Sequence, residues 1–144
     1  MLVEGLIIIA DLDRFEEYVE IHGLDEYKPN DITGALTSMF YDFAVRWRGV
    51  VIYGLDFERG TEEVIIEIPM PSEIDDIVRD LERIHRTINR LGGSITIVVI
   101  RDYVVCKPAR NRREAYYGTP GRSRAMKILR SIKRRGGNRV YVEA

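Results

Sequence analysis

The chain has few of the residues that several common protein classes need. It contains one cysteine, Cys106, and two histidines, His22 and His85, among 144 residues. A single cysteine excludes an internal disulfide and a Cys-only metal cluster within one chain. No apolar run reaches the ~18 residues of a membrane span, and no basic region precedes the first apolar stretch, as a signal peptide requires. These absences predict a cytoplasmic protein with no membrane partner.

The composition is that of one globular domain covering residues 1–144, with 45% hydrophobic and 31% charged residues. The net charge of −1 conceals a strong segregation of charge along the chain. Residues 1–106 hold 10 basic and 21 acidic residues, whereas residues 107–139 hold 12 basic residues and one acidic residue, Glu114. Such a basic stretch indicates an anionic partner. The alternative is a solvated basic face that pairs with the acidic body.

Hydrophobic periodicity predicts the element order β-α-β-β-α-β-α-β when the short mixed segment 14–29 is left aside. The predicted elements are a strand from Leu2 to Ala10, a helix from Asn30 or Asp31 to Gly49, hairpin strands at 50–53 and 64–68, a helix from Ser72 to Gly92, a strand at 94–100, a basic helix at 123–135 and a strand at 139–142. Asp75 is placed as the capping-box partner of Ser72. Residues 14–29 are expected to hold one short helix, and residues 101–121 to be irregular.

The first six of these elements follow the split βαβ pattern, so an α+β, ferredoxin-like βαββαβ core with an added C-terminal helix and strand is expected. In that fold one face of the sheet would be covered by helices. The first strand and the hairpin strands lie next to each other at its centre.

Three aspartates fall where this fold brings strand ends together. Asp11 and Asp13 follow the first strand, and Asp56 lies in the hairpin turn. Two carboxylates, helped by the backbone carbonyl of Leu12, suit Mg²⁺, which binds a few carboxylates together with water and phosphate oxygens. The alternative is that Asp11 ends a strand and Asp56 makes a turn, as aspartate often does.

Three segments resemble the nucleotide cyclase-like superfamily that includes GGDEF domains. Asp11-Leu12-Asp13-Arg14-Phe15 resembles the D-x-D-x-F signature, Tyr53-Gly54-Leu55-Asp56 resembles the Y-G-G-D hairpin, and residues 132–140 resemble the closing A-K-x-x-G-R-N-x-V stretch. The spacing and the relaxed hairpin are most similar to one repeat of archaeal GTP cyclohydrolase III. The resemblance implies a nucleotide cyclase/palm-like fold and, because the chain has the length of one repeat, a homodimer.

The resemblance also implies roles for particular residues. Asp11 and Asp56 match the catalytic, metal-binding carboxylates, Leu12 matches the carbonyl ligand, and Lys133 matches a phosphate-contacting lysine. The implied metal is Mg²⁺ or Mn²⁺, the ligand is a purine nucleoside triphosphate (GTP or ATP), and the reaction is nucleotide hydrolysis. The remaining expected nucleotide-binding residues are Asp13, Phe15, Arg122 and Arg130.

The sequence departs from the family pattern at four places. Leu55, Phe57 and Gly137 replace a glycine, an acidic residue and an arginine, and the asparagine expected after Phe15 is missing at its usual spacing. These departures argue against cyclic dinucleotide synthesis and keep open a non-catalytic nucleotide sensor.

Residues 107–124 interleave arginines with Tyr116 and Tyr117, a pattern that can bind phosphates and stack on bases. A nucleotide lid, an RNA contact and a dimer arm fit this segment equally. A ferredoxin-like nucleic-acid-binding module is therefore a further alternative.

Overall fold

The computed structural model describes residues 2–25 and 28–144. Its elements are β1 (Val3–Leu12), α1 (Phe15–Ile21), α2 (Asp31–Trp47), β2 (Val50–Tyr53), β3 (Glu63–Pro69), α3 (Ile74–Arg90), β4 (Ile95–Val104), α4 (Arg112–Tyr117), α5 (Pro120–Arg134) and β5 (Val140–Glu143). No helix within these described residues is long and apolar enough to cross a bilayer.

The five strands form one sheet in the order β2-β3-β1-β4-β5. The pairs β1–β3, β1–β4 and β2–β3 are antiparallel, and β5 joins the edge parallel to β4. The fold is therefore α+β with a ferredoxin-like βαββαβ core and an added C-terminal helix and strand, which confirms the fold class predicted from the sequence.

The central strand β1 is buried on both sides because its core residues are all apolar. Leu6 and Ile8 belong to the core beneath α2 and α3, while Ile7 and Ile9 belong to the core beneath α4 and α5. All four side chains are fully buried, and each contributes roughly 1.5–3 kcal/mol of burial free energy. The alternation also determines which way Asp11 faces, since it has the same parity as Ile7 and Ile9.

The expectation that helices cover only one face of the sheet is wrong. The second face is covered by α4 and α5, and its core includes Tyr116, Ala125 and Leu129. The residues expected to be irregular instead extend β4 to Val104 and form α4. Because this segment is strongly polar, its few buried positions could not be recognised from the hydrophobic pattern of the sequence.

A side-chain cap explains the start of α2 but not the start of α3. Asn30 caps α2 as expected, because its Oδ1 accepts the backbone N–H groups of Ile32 and Thr33, each at 3.0 Å. The expected cap at Ser72 is wrong, since α3 begins at Ile74 after Glu73, which makes no side-chain cap hydrogen bond. The acidic first turn of α3 supplies favourable charge at that helix end instead.

Candidate functional site

A cleft of about 810 Å³ opens where β1 ends. The last residues of β1 form one wall, the start of α1 forms another, and the turn between β2 and β3 closes the third side. The lining residues are Asp11, Leu12, Arg14, Phe15, Glu16, Glu17, Tyr53, Gly54, Leu55, Asp56, Arg59, Gly60, Glu62, Glu63 and Arg112. The cleft thus contains both aspartates that the sequence singles out as metal ligands.

Asp11 is a partly buried carboxylate that pairs with Lys133 at the end of β1. Its side chain is 27% exposed, and it faces Glu63 directly across the β1–β3 ladder. Burial raises the pKa of Asp11 to about 6, against the lowering effect of Lys133 and with the help of the nearby Glu63 charge. A raised pKa means that the ionised form of Asp11 is disfavoured in the folded protein, so a further positive charge beside it would stabilise that form.

Lys133 reaches Asp11 from α5. Its Nζ lies 3.2 Å from Asp11 Oδ2 and 3.1 Å from Asp13 Oδ1, and it donates to the carbonyl oxygen of Leu12 at 3.0 Å. The ammonium group therefore lies among three oxygens at the end of β1. Two of these residues, Asp11 and Leu12, are the ones expected to hold a metal ion.

Asp13 lies in a different environment, although it is only two residues away. Its carboxylate accepts hydrogen bonds from Ser94 Oγ, Thr96 Oγ1 and the Asn138 backbone N–H, all at 2.8 Å. Burial alone would raise the pKa of Asp13, but the hydrogen bonds from Ser94, Thr96 and Lys133 outweigh it and hold the pKa below its usual value. Asp13 therefore ties β1, β4 and the loop before β5 together.

Gly137 belongs to the same tie. It has a φ of +65°, and a Cβ added there would lie 2.8 Å from both carboxylate oxygens of Asp13. A larger residue in this backbone conformation would displace the carboxylate, which accounts for glycine at a position where the similar family has arginine.

Asp56 is held by the turn in which it lies. Its Oδ1 accepts the backbone N–H groups of Glu58 and Arg59 at 3.0 and 2.9 Å, and its own N–H donates to Thr61 Oγ1 at 3.1 Å. Gly54 allows the turn to approach β3, since a Cβ there would lie 2.0 Å from the Glu63 carbonyl oxygen. Asp56 has both the turn role that the sequence offers as an alternative and a place in the cleft.

Two arginines of the cleft lining, Arg14 and Arg59, were not expected from the sequence as site residues, whereas Arg112 lies in the basic segment 107–124, for which a nucleotide lid was one expectation. Arg14 occupies the N-cap position of α1 in the left-handed conformation, with φ 48° and no side-chain cap hydrogen bond, and Arg59 pairs with Glu62 at 2.9 Å. Arg112 binds both carboxylate oxygens of Glu63, at 2.9 and 3.1 Å. Arg14 lies within the D-x-D-x-F segment, but no periodicity signals its backbone conformation or the long-range partner of Arg112.

Neither of the two arginines expected to bind nucleotide lines the cleft, and the expected residues Asp13 and Lys133 also lie outside its lining. Arg122 is 3% exposed, donates to the carbonyl oxygens of Glu114 and Ala115, and lies 3.4 Å from buried Glu67. Its guanidinium group therefore joins α4 and α5 to the sheet. Arg130 lies on the outer surface of α5 against Tyr117.

Phe15 lies at the inner edge of the cleft. It is 8% exposed and packs in the core beneath α2 and α3, and it also borders a smaller pocket of about 220 Å³.

The oxygen donors in the cleft suit a hard cation such as Mg²⁺ or Mn²⁺ better than a soft one such as Cu⁺. Within the described residues, no group of three or more His, Cys, Asp or Glu side chains is arranged to hold a metal ion. Asp11, Asp56 and the Leu12 carbonyl would leave several coordination positions for water and phosphate oxygens, which is the pattern typical of Mg²⁺. The residues present are chemically compatible with Mg²⁺ or Mn²⁺.

Comparison with known proteins adds no relative. A scan against protein-family models finds no match to the chain, and a search of curated proteins finds none either. The resemblance to nucleotide cyclase-like domains stays a prediction.

Proposed function

We propose that this chain is a divalent-metal-dependent domain that binds a purine nucleoside triphosphate, GTP or ATP, in the cleft at the end of β1. The observation that carries the proposal is the shared placement of Asp11 and Asp56. The two residues are 45 positions apart in the chain, yet they line one cleft large enough for a nucleotide.

In this proposal Asp11, Asp56 and the carbonyl of Leu12 hold Mg²⁺ or Mn²⁺. The bound ion would neutralise phosphate charge and stabilise the charge that develops on the phosphate oxygens. The burial that raises the pKa of Asp11 favours any cation placed beside it, because a positive charge relieves the cost of ionising a desolvated carboxylate.

Three arginines that line the cleft and Lys133, which lies beside it against Asp11, are the proposed phosphate ligands. Lys133 is an ammonium point charge at the end of β1, and the Arg14, Arg59 and Arg112 side chains line the cleft walls. Arginine forms two parallel hydrogen bonds with phosphate oxygens, and lysine acts through its charge. Without these cations the six carboxylates of the lining would repel a triphosphate. Phe15 would border the bound nucleotide.

We further propose that the domain is a hydrolase. The resemblance to GTP cyclohydrolase III implies opening of the purine imidazole ring with release of pyrophosphate. The direct test is incubation with GTP or ATP in Mg²⁺ or Mn²⁺, followed by separation of nucleotide products and assay of pyrophosphate. Asp11→Asn and Asp56→Asn should lose product formation.

The matched control is Asp42→Asn, which removes one exposed carboxylate on α2 outside the cleft. Equal activity in all three variants would remove both aspartates from the site. Loss of activity in all three would point to the change of net charge rather than to the cleft.

The second candidate is a nucleotide sensor that binds without turnover. Lys133 favours it, because its ammonium already lies against Asp11 and Leu12 and can compete with a metal ion for those oxygens. Leu55 and Phe57, in place of the family's glycine and acidic residue, favour it as well. Saturable binding of GTP or ATP without any product over hours would support the sensor and refute the hydrolase.

We also propose a homodimer, because the chain has the length of one repeat of a two-repeat enzyme. Sedimentation equilibrium over a wide concentration range provides the test. A strictly monomeric species at the highest concentration would contradict it.

A further inference from the structure

The outer surface of α4 and α5 carries a continuous line of basic side chains. Arg113 and Tyr117 lie four residues apart on α4, and Lys127, Arg130 and Arg134 lie three and four residues apart on α5, all of them exposed. Arg130 donates to the Tyr117 hydroxyl, and its guanidinium carbon lies 5.6 Å from the centre of the tyrosine ring. This contact joins the two rows, and the five residues are named the basic stripe.

The four cations of the basic stripe have no carboxylate partner among the described residues. Three cations outside the basic stripe, Lys107, Arg135 and Arg139, likewise have no carboxylate partner among the described residues. The other five cations of residues 107–139 contact acidic side chains: Arg110 with Glu114, Arg112 with Glu63, Arg122 with Glu67, Arg124 with Asp102 and Glu143, and Lys133 with Asp11 and Asp13. Pairing with the acidic body thus accounts for those five residues only. The charge of the basic stripe stays directed at solvent, where it attracts anions.

The aromatic ring of Tyr117 limits which classes of anionic partner fit the basic stripe. Tyr117 is 48% exposed and lies between the cations of the two helices. Proteins that bind single-stranded nucleic acid combine a basic track for the phosphates with aromatic rings on which bases stack. A duplex keeps its base faces stacked inside, and the Asp and Glu side chains that give a protein surface its negative charge have no aromatic face to stack on the ring.

We infer that the basic stripe binds single-stranded nucleic acid. This inference is independent of the nucleotide proposal, because none of the five residues lines the cleft. It also does not need an open sheet face, which α4 and α5 cover here. Two residues next to the basic stripe in sequence contact residues that line the cleft: Arg112 contacts Glu63, and Lys133 contacts Asp11. A nucleic-acid strand bound along these helices would therefore lie beside the cleft.

The first test measures the phosphate contacts. Fluorescence anisotropy with a labelled oligo(U) of about 16 nucleotides is recorded over a series of NaCl concentrations. Four phosphate contacts predict a slope of log K against log salt of about −3. The triple variant Lys127→Gln, Arg130→Gln, Arg134→Gln should bind on the order of tenfold to hundredfold more weakly, with a slope reduced by about 2.

The matched control is the triple variant Arg48→Gln, Arg86→Gln, Arg90→Gln. It removes the same charge from exposed arginines on the opposite side of the sheet, and it should leave the affinity within about twofold of the wild type. An equal loss in both triple variants would show attraction by net charge alone and would overturn the inference.

The second test measures stacking. Tyr117→Ala should weaken binding by roughly tenfold without changing the salt slope, whereas Tyr103→Ala, at a still more exposed tyrosine of β4, should have no effect. Circular dichroism confirms that each variant is folded.

Three further outcomes would overturn the inference. The first is unchanged affinity in the Lys127, Arg130, Arg134 triple variant. The second is binding of a duplex or of polyglutamate that is as tight as that of oligo(U) and is insensitive to Tyr117→Ala. The third is complete displacement of the oligonucleotide by Mg²⁺ with excess GTP, which would place the strand in the cleft. Absence of GTP binding would refute the nucleotide proposal and leave this inference standing. A DNA oligonucleotide of the same length distinguishes RNA from DNA as the preferred strand.

Discussion

The cleft around Asp11 and the hydrogen-bond network around Asp13, called here the Asp13 tie, differ in chemistry although the two aspartates are separated by one residue. Asp13 is 8% exposed and accepts three hydrogen bonds, from Ser94 just before β4, from Thr96 in β4 and from the loop before β5, whereas Asp11 pairs within the described residues with Lys133 alone. Their pKa values therefore shift in opposite directions. A carboxylate whose hydrogen bonds are filled by the fold contributes stability, and one left partly unfilled in a cleft is open to a ligand.

The largest expected effect follows from breaking the Asp13 tie. Asp13→Ala leaves Ser94, Thr96 and the Asn138 N–H without their acceptor and Lys133 without one of its partners. Removing one partner of such a buried charged network costs about 3 kcal/mol. Urea unfolding of the variant should show this loss in the free energy of unfolding, and a loss below about 0.5 kcal/mol would contradict the structural role of Asp13.

Asp11→Asn, in contrast to Asp13→Ala, should weaken nucleotide binding strongly and lower the free energy of unfolding only a little. Metal-dependent nucleotide binding should fall by at least tenfold, because the carboxylate proposed to hold the ion is gone. The free energy of unfolding at pH 7 should fall far less than in Asp13→Ala. Isothermal titration calorimetry with Mg²⁺ and GTP measures the first quantity, and retained affinity would remove Asp11 from the site.

The same variant gives a prediction about pH. The pKa of folded Asp11 is about 6 and its ordinary value is 3.8, so between these values the folded state binds more protons than the unfolded state. Stability from this group is therefore present at low pH and falls as pH rises from about 4 to 6. The difference in unfolding free energy between wild type and Asp11→Asn should change across that window by on the order of 1 kcal/mol in favour of the variant.

The unfolding measurements at pH 4 and pH 7 should be made in parallel on Asp42→Asn, whose exposed carboxylate lies outside the cleft. A parallel change in both variants would mean that the effect does not come from Asp11.

Lys133 connects the cleft and the tie, so its removal should change both by intermediate amounts. Its charge and hydrogen bond lower the pKa of Asp11. Lys133→Met should therefore raise that pKa above 6, as followed by NMR titration of the Asp11 carboxyl carbon. Lys127→Met, on the exposed side of the same helix, should leave the titration unchanged.

Much of the fold could be predicted because it rests on local patterns. The apolar run of β1, the Asn30 cap and the hairpin glycine Gly54 each act within a few residues. The position of Asp11 also follows from strand parity once the sheet order is known. The covering of the second sheet face could not be predicted, since it depends on Arg122 meeting Glu67, two residues 55 positions apart.

The different environments of Asp11 and Asp13 could not be predicted from the sequence for a similar reason. Both stand in one D-x-D segment, and their partners come from Ser94, Thr96 and Lys133, far along the chain. The pairing of Asp13 with Gly137 likewise becomes visible only when the loop before β5 is in place.

The smallest expected effect on stability separates the two roles of Asp56. Asp56→Asn keeps the Oδ1 that accepts the Glu58 and Arg59 backbone N–H groups, so the unfolding free energy should change by less than about 0.5 kcal/mol. Asp56→Ala loses that acceptor and should cost about 1 kcal/mol. Both variants lose the charge and should lose metal-dependent nucleotide binding equally, because the proposed ion needs the carboxylate and not the turn. If Asp56→Asn bound nucleotide like the wild type while Asp56→Ala did not, Asp56 would serve the cleft only by shaping the turn.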